Sequence, residues 1–569
     1  MAAPPPLPRR RALGANEFLL HTTEARYGGT FRIAGVATLS SPTSGPGCLS
    51  APRLIAAVAA VADRYEALRT TVEVGADGQA VFLAADSGVP RVDVRVGASA
   101  DPDVLTAEAF AATEAVLAAG PEGLWPARAP SVTAAAMKGT PSATPHLPWQ
   151  VIAFLPPRAE AGEGASDGVG TDGNTPASAA PKVSTASGAV VVWLVPHYLA
   201  DGRSLDFLCA ALIDALNSDC STAAASAVAA AGVSRLPPAM TTLLPPWGGR
   251  LGATVAAGRF LVGSTLEGVT RSRVRKVVPA AGAAAGSPGA SPSDGGAASA
   301  SAVAARRTGI AVAVVGAPAV ARFRSGAKAA GVTLGAALVG AFAVALVDTG
   351  LLAPPGWWRS SVVVAVPMDA RRASEDLPNT AVGNYVGAVD VAMVVPPRPP
   401  PSLPPKIGAD DGRLDKGSDK KSGGQSRLWV AAGAASTALR VPRIRAAAAI
   451  RMGVACGMVA RPQWRGFLDA LVADPVAAGR LLPDPFVSNI GRCTETEAAN
   501  TRAGSTAAGV TVTRLGLWDW EAQMGAPLGL YTATVGGVAT LVAAWTEPFV
   551  TAEAGRAVLA AVVAAIEAA

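Results

Sequence analysis

The chain has 569 residues and only three histidines: His21, His146 and His197. His197 is the one placed for chemistry. It follows the unbroken apolar run AVVVWLV (189–195) and precedes Asp201 and Gly202, in the pattern His-x-x-x-Asp-Gly. A neutral imidazole, with an ordinary pKa of about 6.5, can take a proton at neutral pH and return it. General acid–base chemistry is therefore the reading for His197. The bland alternative is a satisfied polar residue beside a core strand. A metal site is not supported, because His197 and Asp201 have no third ligand nearby and the five cysteines show no zinc spacing. The stretch Gly164-Ala-Ser166-Asp-Gly168 matches the serine-hydrolase elbow G-x-S-x-G. It lies in low-complexity sequence rather than at a strand-to-helix turn, so it reads as chance.

The elements that must position His197 are legible around it. A short, continuous apolar run reads as a buried strand. After it, Leu205, Leu208, Cys209, Leu212, Ile213 and Leu216 keep helical spacing. Earlier, 31–39 reads as a strand, and Leu54, Val58, Val61, Tyr65 and Leu68 lie on one helix face. Segments 70–74 and 79–84 read as a hairpin. In the second half, 310–315, 361–366 and 382–395 are strand-like, and 332–347 reads as a buried helix. Segment 428–458 reads as a helix broken at Pro442. Segments 528–534 and 538–545 pair around Gly536-Gly537, and 552–567 is a final helix. This mixture is α/β or α+β.

Composition bounds the rest. Half the residues are hydrophobic and 16 % are charged, against about 25 % charged in ordinary chains. Five stretches, 156–188, 221–235, 278–306, 396–424 and 492–509, are rich in Ala, Gly, Ser, Thr or Pro and read as insertions without a core. Residues 1–14 read as a disordered N-terminus whose prolines break any transit-peptide helix. The expected organisation is an N-terminal lobe over 15–220, a linker over 221–306 and a C-terminal lobe over 307–569. Without the insertions, about 430–450 residues remain, enough for two lobes. Residues 329–347 carry no charge and are long enough to span a membrane. Their Ala, Gly and Val content favours a buried helix, so no transmembrane segment is expected. Net charge is +6, and the basic run Arg271-Ser-Arg273-Val-Arg275-Lys276 has no aromatic platform beside it. No nucleic-acid partner is expected. Sparse cysteines fit a reducing, cytoplasmic setting.

The segment Trp193 to Ser204 resembles the H-x-x-x-D-G motif of the CoA-dependent acyltransferase superfamily. That superfamily includes chloramphenicol acetyltransferase, peptide-synthetase condensation domains, alcohol acetyltransferases and polyketide-associated acyltransferases. Further segments resemble it in order: Tyr65-Glu66-Ala67-Leu68-Arg69-Thr70, Val366-Pro367-Met368-Asp369-Ala370-Arg371, Gly383-Asn384-Tyr385-Val386-Gly387 and Ser488-Asn489-Ile490-Gly491. The chain also departs from the pattern. Pro196 stands where condensation domains carry a first His, and the plant-type D-F-G-W-G motif is absent. No carrier-protein or adenylation segment flanks the region, which points to a free-standing acyltransferase.

The resemblance implies two chloramphenicol-acetyltransferase-like lobes, each a mixed sheet packed with helices, with an active-site tunnel between them. It implies His197 as general base in direct acyl transfer to an alcohol or amine, with O-acyl transfer favoured. The donor would be acyl-CoA, a co-substrate rather than a bound cofactor, or an acyl-carrier-protein thioester. Asp201 is expected to point away from substrate and pair with Arg371. Gly202 is read as a turn residue needing permissive backbone angles. Ser488 or Asn489 would serve the oxyanion, and Asn384 and Tyr385 are further candidate contacts. A monomer is expected. The competing reading is a non-catalytic binding or scaffold protein that keeps the fold.

Overall fold

The computed structural model describes residues 10–27, 31–41, 49–75, 79–84, 89–118, 146–157, 187–218, 236–239, 306–352, 361–371, 379–396, 422–440, 485–504, 509–520 and 527–569. The G-x-S-x-G stretch, the basic run at 271–276 and the Pro442 break lie outside them.

In the first half the elements are β1 (Arg10–Ala12), α1 (Ala15–Tyr27), β2 (Arg32–Ser41), α2 (Ala51–Arg64), β3 (Thr70–Val74), β4 (Ala80–Ala84), β5 (Val89–Val96), α3 (Pro102–Ala118), β6 (His146–Leu155), β7 (Ser187–Pro196) and α4 (Gly202–Asn217). The second half holds β8 (Arg307–Val315), α5 (Ala317–Ala329), α6 (Leu334–Asp348), β9 (Ser361–Asp369), β10 (Val386–Val394), α7 (Ser422–Arg440), β11 (Phe486–Arg492), α8 (Thr494–Gly504), β12 (Thr511–Trp520), β13 (Leu528–Val535), β14 (Val538–Glu547) and α9 (Ala552–Glu567).

Two mixed sheets carry the fold. The first has the order β12-β2-β7-β6-β5 and the second β10-β9-β11-β13-β14-β8; β1, β4 and β3 form a small third sheet. In the first sheet β5 and β6 run parallel and the other pairs antiparallel. Its central strands are apolar on both faces because both faces are covered. The two sides of β2 show this directly. A Cβ on Gly35 would lie 2.8 Å from Leu205 of α4, while the Thr38 hydroxyl meets that of Thr106 on α3 at 3.4 Å. Trp149 and Trp193 stack side by side with centroids 5.8 Å apart. In the second sheet, Val487, Leu530 and Leu541 pack toward α6, while Phe486, Tyr531 and Val542 join the core of the first half.

The apolar run at 329–347 becomes α6, buried almost all round. A Cβ on Gly340 would come within 2.7 Å of the Ala432 backbone on α7, so these two helices touch nearly backbone to backbone. Among the described residues no single helix is long and apolar enough to cross a membrane; α5 and α6 together pass only as a pair bent by 99°.

The structure corrects the expected organisation in three places. Residues 10–12 are not disordered: β1 pairs with β4, and Arg11 clasps Glu17 at 2.7 Å through both guanidinium nitrogens. Within the 221–306 linker, between the two low-complexity stretches, Ala239 is buried and the Leu236 N–H donates to Glu66 Oε2 at 2.6 Å. The 492–509 stretch is not an insertion, because it contains α8. Its Thr- and Ala-rich composition misleads because the helix is organised from outside: Asp206 Oδ1 accepts the Thr496 N–H at 2.9 Å and its hydroxyl at 2.7 Å. Finally, 307–569 is not one lobe. Strand β12 leaves it and pairs with β2 over its whole length.

Candidate active site

Strand β7 ends at Pro196, opposite Arg32 of β2. Proline has no N–H to continue a ladder, and the chain turns at once, with the Leu199 N–H donating to the Pro196 carbonyl at 2.9 Å. His197 heads this turn. Its N–H donates to the Phe31 carbonyl at 2.8 Å, and Phe31 is held at φ 58°, a left-handed conformation rare outside glycine.

The two ring nitrogens of His197 have different surroundings. Nδ1 lies 3.0 Å from the Ala200 carbonyl and 3.0 Å from Asn384 Nδ2. The Asn384 amide already donates to the His197 carbonyl at 2.7 Å. Its own oxygen accepts from Asn16 Nδ2 at 2.9 Å and from the Val386 N–H at 3.3 Å. The Ala200 carbonyl can only accept, so it favours the tautomer with the proton on Nδ1 and the Nε2 lone pair free, while the second Asn384 amide hydrogen favours the opposite one. Nε2 faces Asp519 Oδ2 at 3.7 Å, and the two side chains are 12 % and 14 % exposed.

Asp201 points the other way and is 1 % exposed. It caps α4 by accepting the Ser204 N–H at 2.8 Å. Arg371 binds it as a fork, Nη1 to Oδ2 at 2.8 Å and Nη2 to Oδ1 at 2.9 Å, and the Tyr385 N–H adds a bond of 3.0 Å. Burial works to raise the Asp201 pKa, but the Arg371 charge and these hydrogen bonds outweigh it and hold the carboxyl below its ordinary value. Arg371 is equally committed. Its Nε donates to the Ala381 carbonyl at 2.9 Å, Nη1 also reaches Asp369 at 3.0 Å, and its guanidinium lies 4.8 Å from the Tyr385 ring centre.

Four expectations about the site are corrected. Gly202 is not among the residues at positive φ. It is needed for closeness instead, since a Cβ there would lie 2.9 Å from Ile490 Cγ2 and 3.1 Å from Leu517. Asn384 is not free for substrate, because its amide is spent on the His197 loop. Tyr385 is buried, with its hydroxyl donating to the Pro238 carbonyl at 3.0 Å. Asn489 shares the face of Val487, turned toward α6, and its oxygen accepts from Thr532 at 2.7 Å and Gly491 at 2.9 Å. Of the Ser488–Asn489 pair, Ser488, half-buried on the face of Phe486, is the one turned toward the first half.

Asp519, Asn16 and Phe31 escaped the sequence reading. The one available signal for Asp519 was an acidic residue inside the apolar stretch Leu515 to Trp520. Burial raises the Asp519 pKa, His197 lowers it, and Asp201 adds to the rise. Next to the loop, Tyr198 packs edge-on to His21 at 5.3 Å, and burial lowers His21 to about 4, so it is neutral at physiological pH.

Among the described residues no group of three His, Cys, Asp or Glu could hold a metal ion. No protein-family model matches the sequence, and no curated protein matches it. Solved structures do match the fold. The trichothecene 15-O-acetyltransferase of Fusarium sporotrichioides aligns with a TM-score of 0.62 at 13 % identity, over 100 % of this chain and 99 % of that one. The first condensation domain of the calcium-dependent antibiotic synthetase aligns with a TM-score of 0.50 at 11 % identity, over 98 % and 95 %. The nonribosomal peptide synthetase FmoA3 aligns with a TM-score of 0.50 at 15 % identity, over all of this chain and 44 % of that longer one. The fold, mixed sheets packed against helices, is the one shared by this acetyltransferase and these condensation-domain structures.

Proposed function

We propose that the protein is an acyltransferase that moves an acyl group from a thioester to an alcohol or amine, with His197 as general base. The observation that carries this reading is the asymmetry of the ring: Nδ1 lies against the Ala200 carbonyl and the Asn384 amide, and Nε2 faces only Asp519 Oδ2, beyond hydrogen-bond distance at 3.7 Å. The acceptor's proton passes to Nε2 as its heteroatom attacks the thioester carbonyl. The tetrahedral oxyanion then collapses, the C–S bond breaks, and the thiolate takes the proton from the imidazolium. No acyl-enzyme is needed. Ser488 is the candidate donor to the oxyanion. The donor is acyl-CoA or a carrier-protein thioester, used as a substrate, and it reaches His197 through a channel between the two halves. The fold shared with an O-acetyltransferase supports the ester-forming version.

A thiol-release assay with a panel of acyl-CoAs against mixed alcohols and amines tests the reading. His197→Ala is expected to lose about 10²–10⁴-fold in rate with an unchanged Tm. A folded, fully active His197→Ala protein overturns the assignment. Acyl-CoA binding without turnover by the intact chain would instead establish a binding protein.

A further inference from the structure

We propose that Asp519 is a second catalytic residue, the carboxylate that faces the charge His197 acquires when it takes the acceptor's proton. This rests on the acyl-transfer reading above.

The geometry begins with the crossing strand. Register places Trp520 opposite Arg32 on one edge of β2, and Pro196 opposite Arg32 on the other. Asp519 thereby reaches the level at which β7 ends and His197 begins. Its Oδ2 stands 3.7 Å from Nε2, a distance suited to a charge pair but too long for a hydrogen bond. A heteroatom lying to one side can sit about 2.8 Å from both atoms, which is where an attacking hydroxyl or amine belongs.

Neighbouring charges leave this task to Asp519. Asp201 is neutralised by Arg371. Arg32, beside it in register, pairs with Glu24 at 2.5 Å. On the far side of the ring, Nδ1 meets only neutral groups, the Ala200 carbonyl and the Asn384 amide. His21 and Tyr198 are uncharged at neutral pH. Asp519 itself has one polar partner among the described residues, His197. A mostly buried carboxylate with a single, distant partner is poor structural material, because its partial desolvation is not offset. The same desolvation strengthens its pull on a cation forming beside it. During turnover Asp519 stays anionic and takes no proton. The proton moves from acceptor to Nε2 and on to the leaving thiolate.

The test is Asp519→Asn and Asp519→Glu in the full chain. Asp519→Asn is expected to lower kcat about 10–100-fold with KM changed little and Tm at or above the wild-type value. Its acidic limb in the kcat/KM profile is expected to move to lower pH, because a neutral amide no longer favours the protonated ring. Asp519→Glu is expected to regain part of the rate. Wild-type kcat with an unmoved acidic limb in Asp519→Asn overturns the proposal, and so does a rate loss matched by a falling Tm. If no donor and acceptor pair supports turnover in the wild type, the acyl-transfer reading fails instead. Carboxyl-carbon NMR then still decides the coupling: the Asp519 midpoint is expected to rise in His197→Ala, and an identical midpoint in both proteins overturns the pair.

Discussion

Two carboxylates of the His197 region, Asp201 fully buried and Asp519 mostly so, are used in opposite ways. Asp201 accepts from Arg371, from the Ser204 N–H and from the Tyr385 N–H. Asp519 faces His197 alone across 3.7 Å. Burial pushes both toward the protonated form; in Asp201 a guanidinium and several donors reverse that push, whereas in Asp519 it prevails. Saturating an acid with donors makes it a fastener. Leaving it without donors beside a base means that the imidazolium, when it forms, is the partner that stabilises its charge.

The strongest way to break this contrast is Asp201→Ala. Removing one member of a buried pair leaves Arg371 uncompensated and is expected to cost about 3–5 kcal/mol. Thermal or urea unfolding measures it, and an unchanged Tm would dissolve the distinction between the two acids. Asn384→Ala is expected to cost about 1–3 kcal/mol through the unsatisfied groups it leaves, and to lower kcat more than KM because it frees the His197 loop. An equal effect on both constants would make Asn384 a substrate contact after all. Gly202→Ala presses a methyl group against Ile490 and Leu517, so about 1–3 kcal/mol should be lost to overpacking. Adding Ile490→Val should recover part of it.

The mildest test is pH. Asp201, held low, contributes stability that is present above the unfolded carboxyl value of about 3.9 and is lost as pH falls through its lower folded value. Asp519, held high, contributes below that unfolded value and loses its contribution as pH rises through its raised folded value. Acid-titrated melting curves should therefore lose part of their low-pH slope in Asp201→Ala. In Asp519→Asn, stability should gain most toward neutral pH.

Much of the frame was legible locally. The apolar run before His197 and the helical spacing after it required only period and composition, and they correspond to β7 and α4. The uncharged stretch at 329–347 was legible as a buried helix, and Leu334–Asp348 forms one. What escaped depends on distant partners. Helix α8 starts on a carboxylate 290 positions away, so its own sequence looks structureless. Asp519 gains meaning only through the register of β12 on β2. The placing of Asn489 was within reach, because alternation along a strand puts neighbours such as Ser488 and Asn489 on opposite faces. The fixed amide of Asn384 was not, since it takes Asn16 from the far end of the chain to occupy it.

The crossing strand also has a consequence for how the protein is made. The Thr513 hydroxyl bonds to the Thr38 carbonyl across 475 positions. At about 5–20 residues per second of synthesis, the ribosome finishes β12 roughly half a minute to a minute and a half after β2. Through that interval β2 presents an open, apolar edge of the kind that recruits other strands. Translation speed and chaperone supply should therefore set the yield of soluble protein more strongly than the stability of the finished fold, and a chain cut between the halves should leave the first half aggregating unless the second is made beside it.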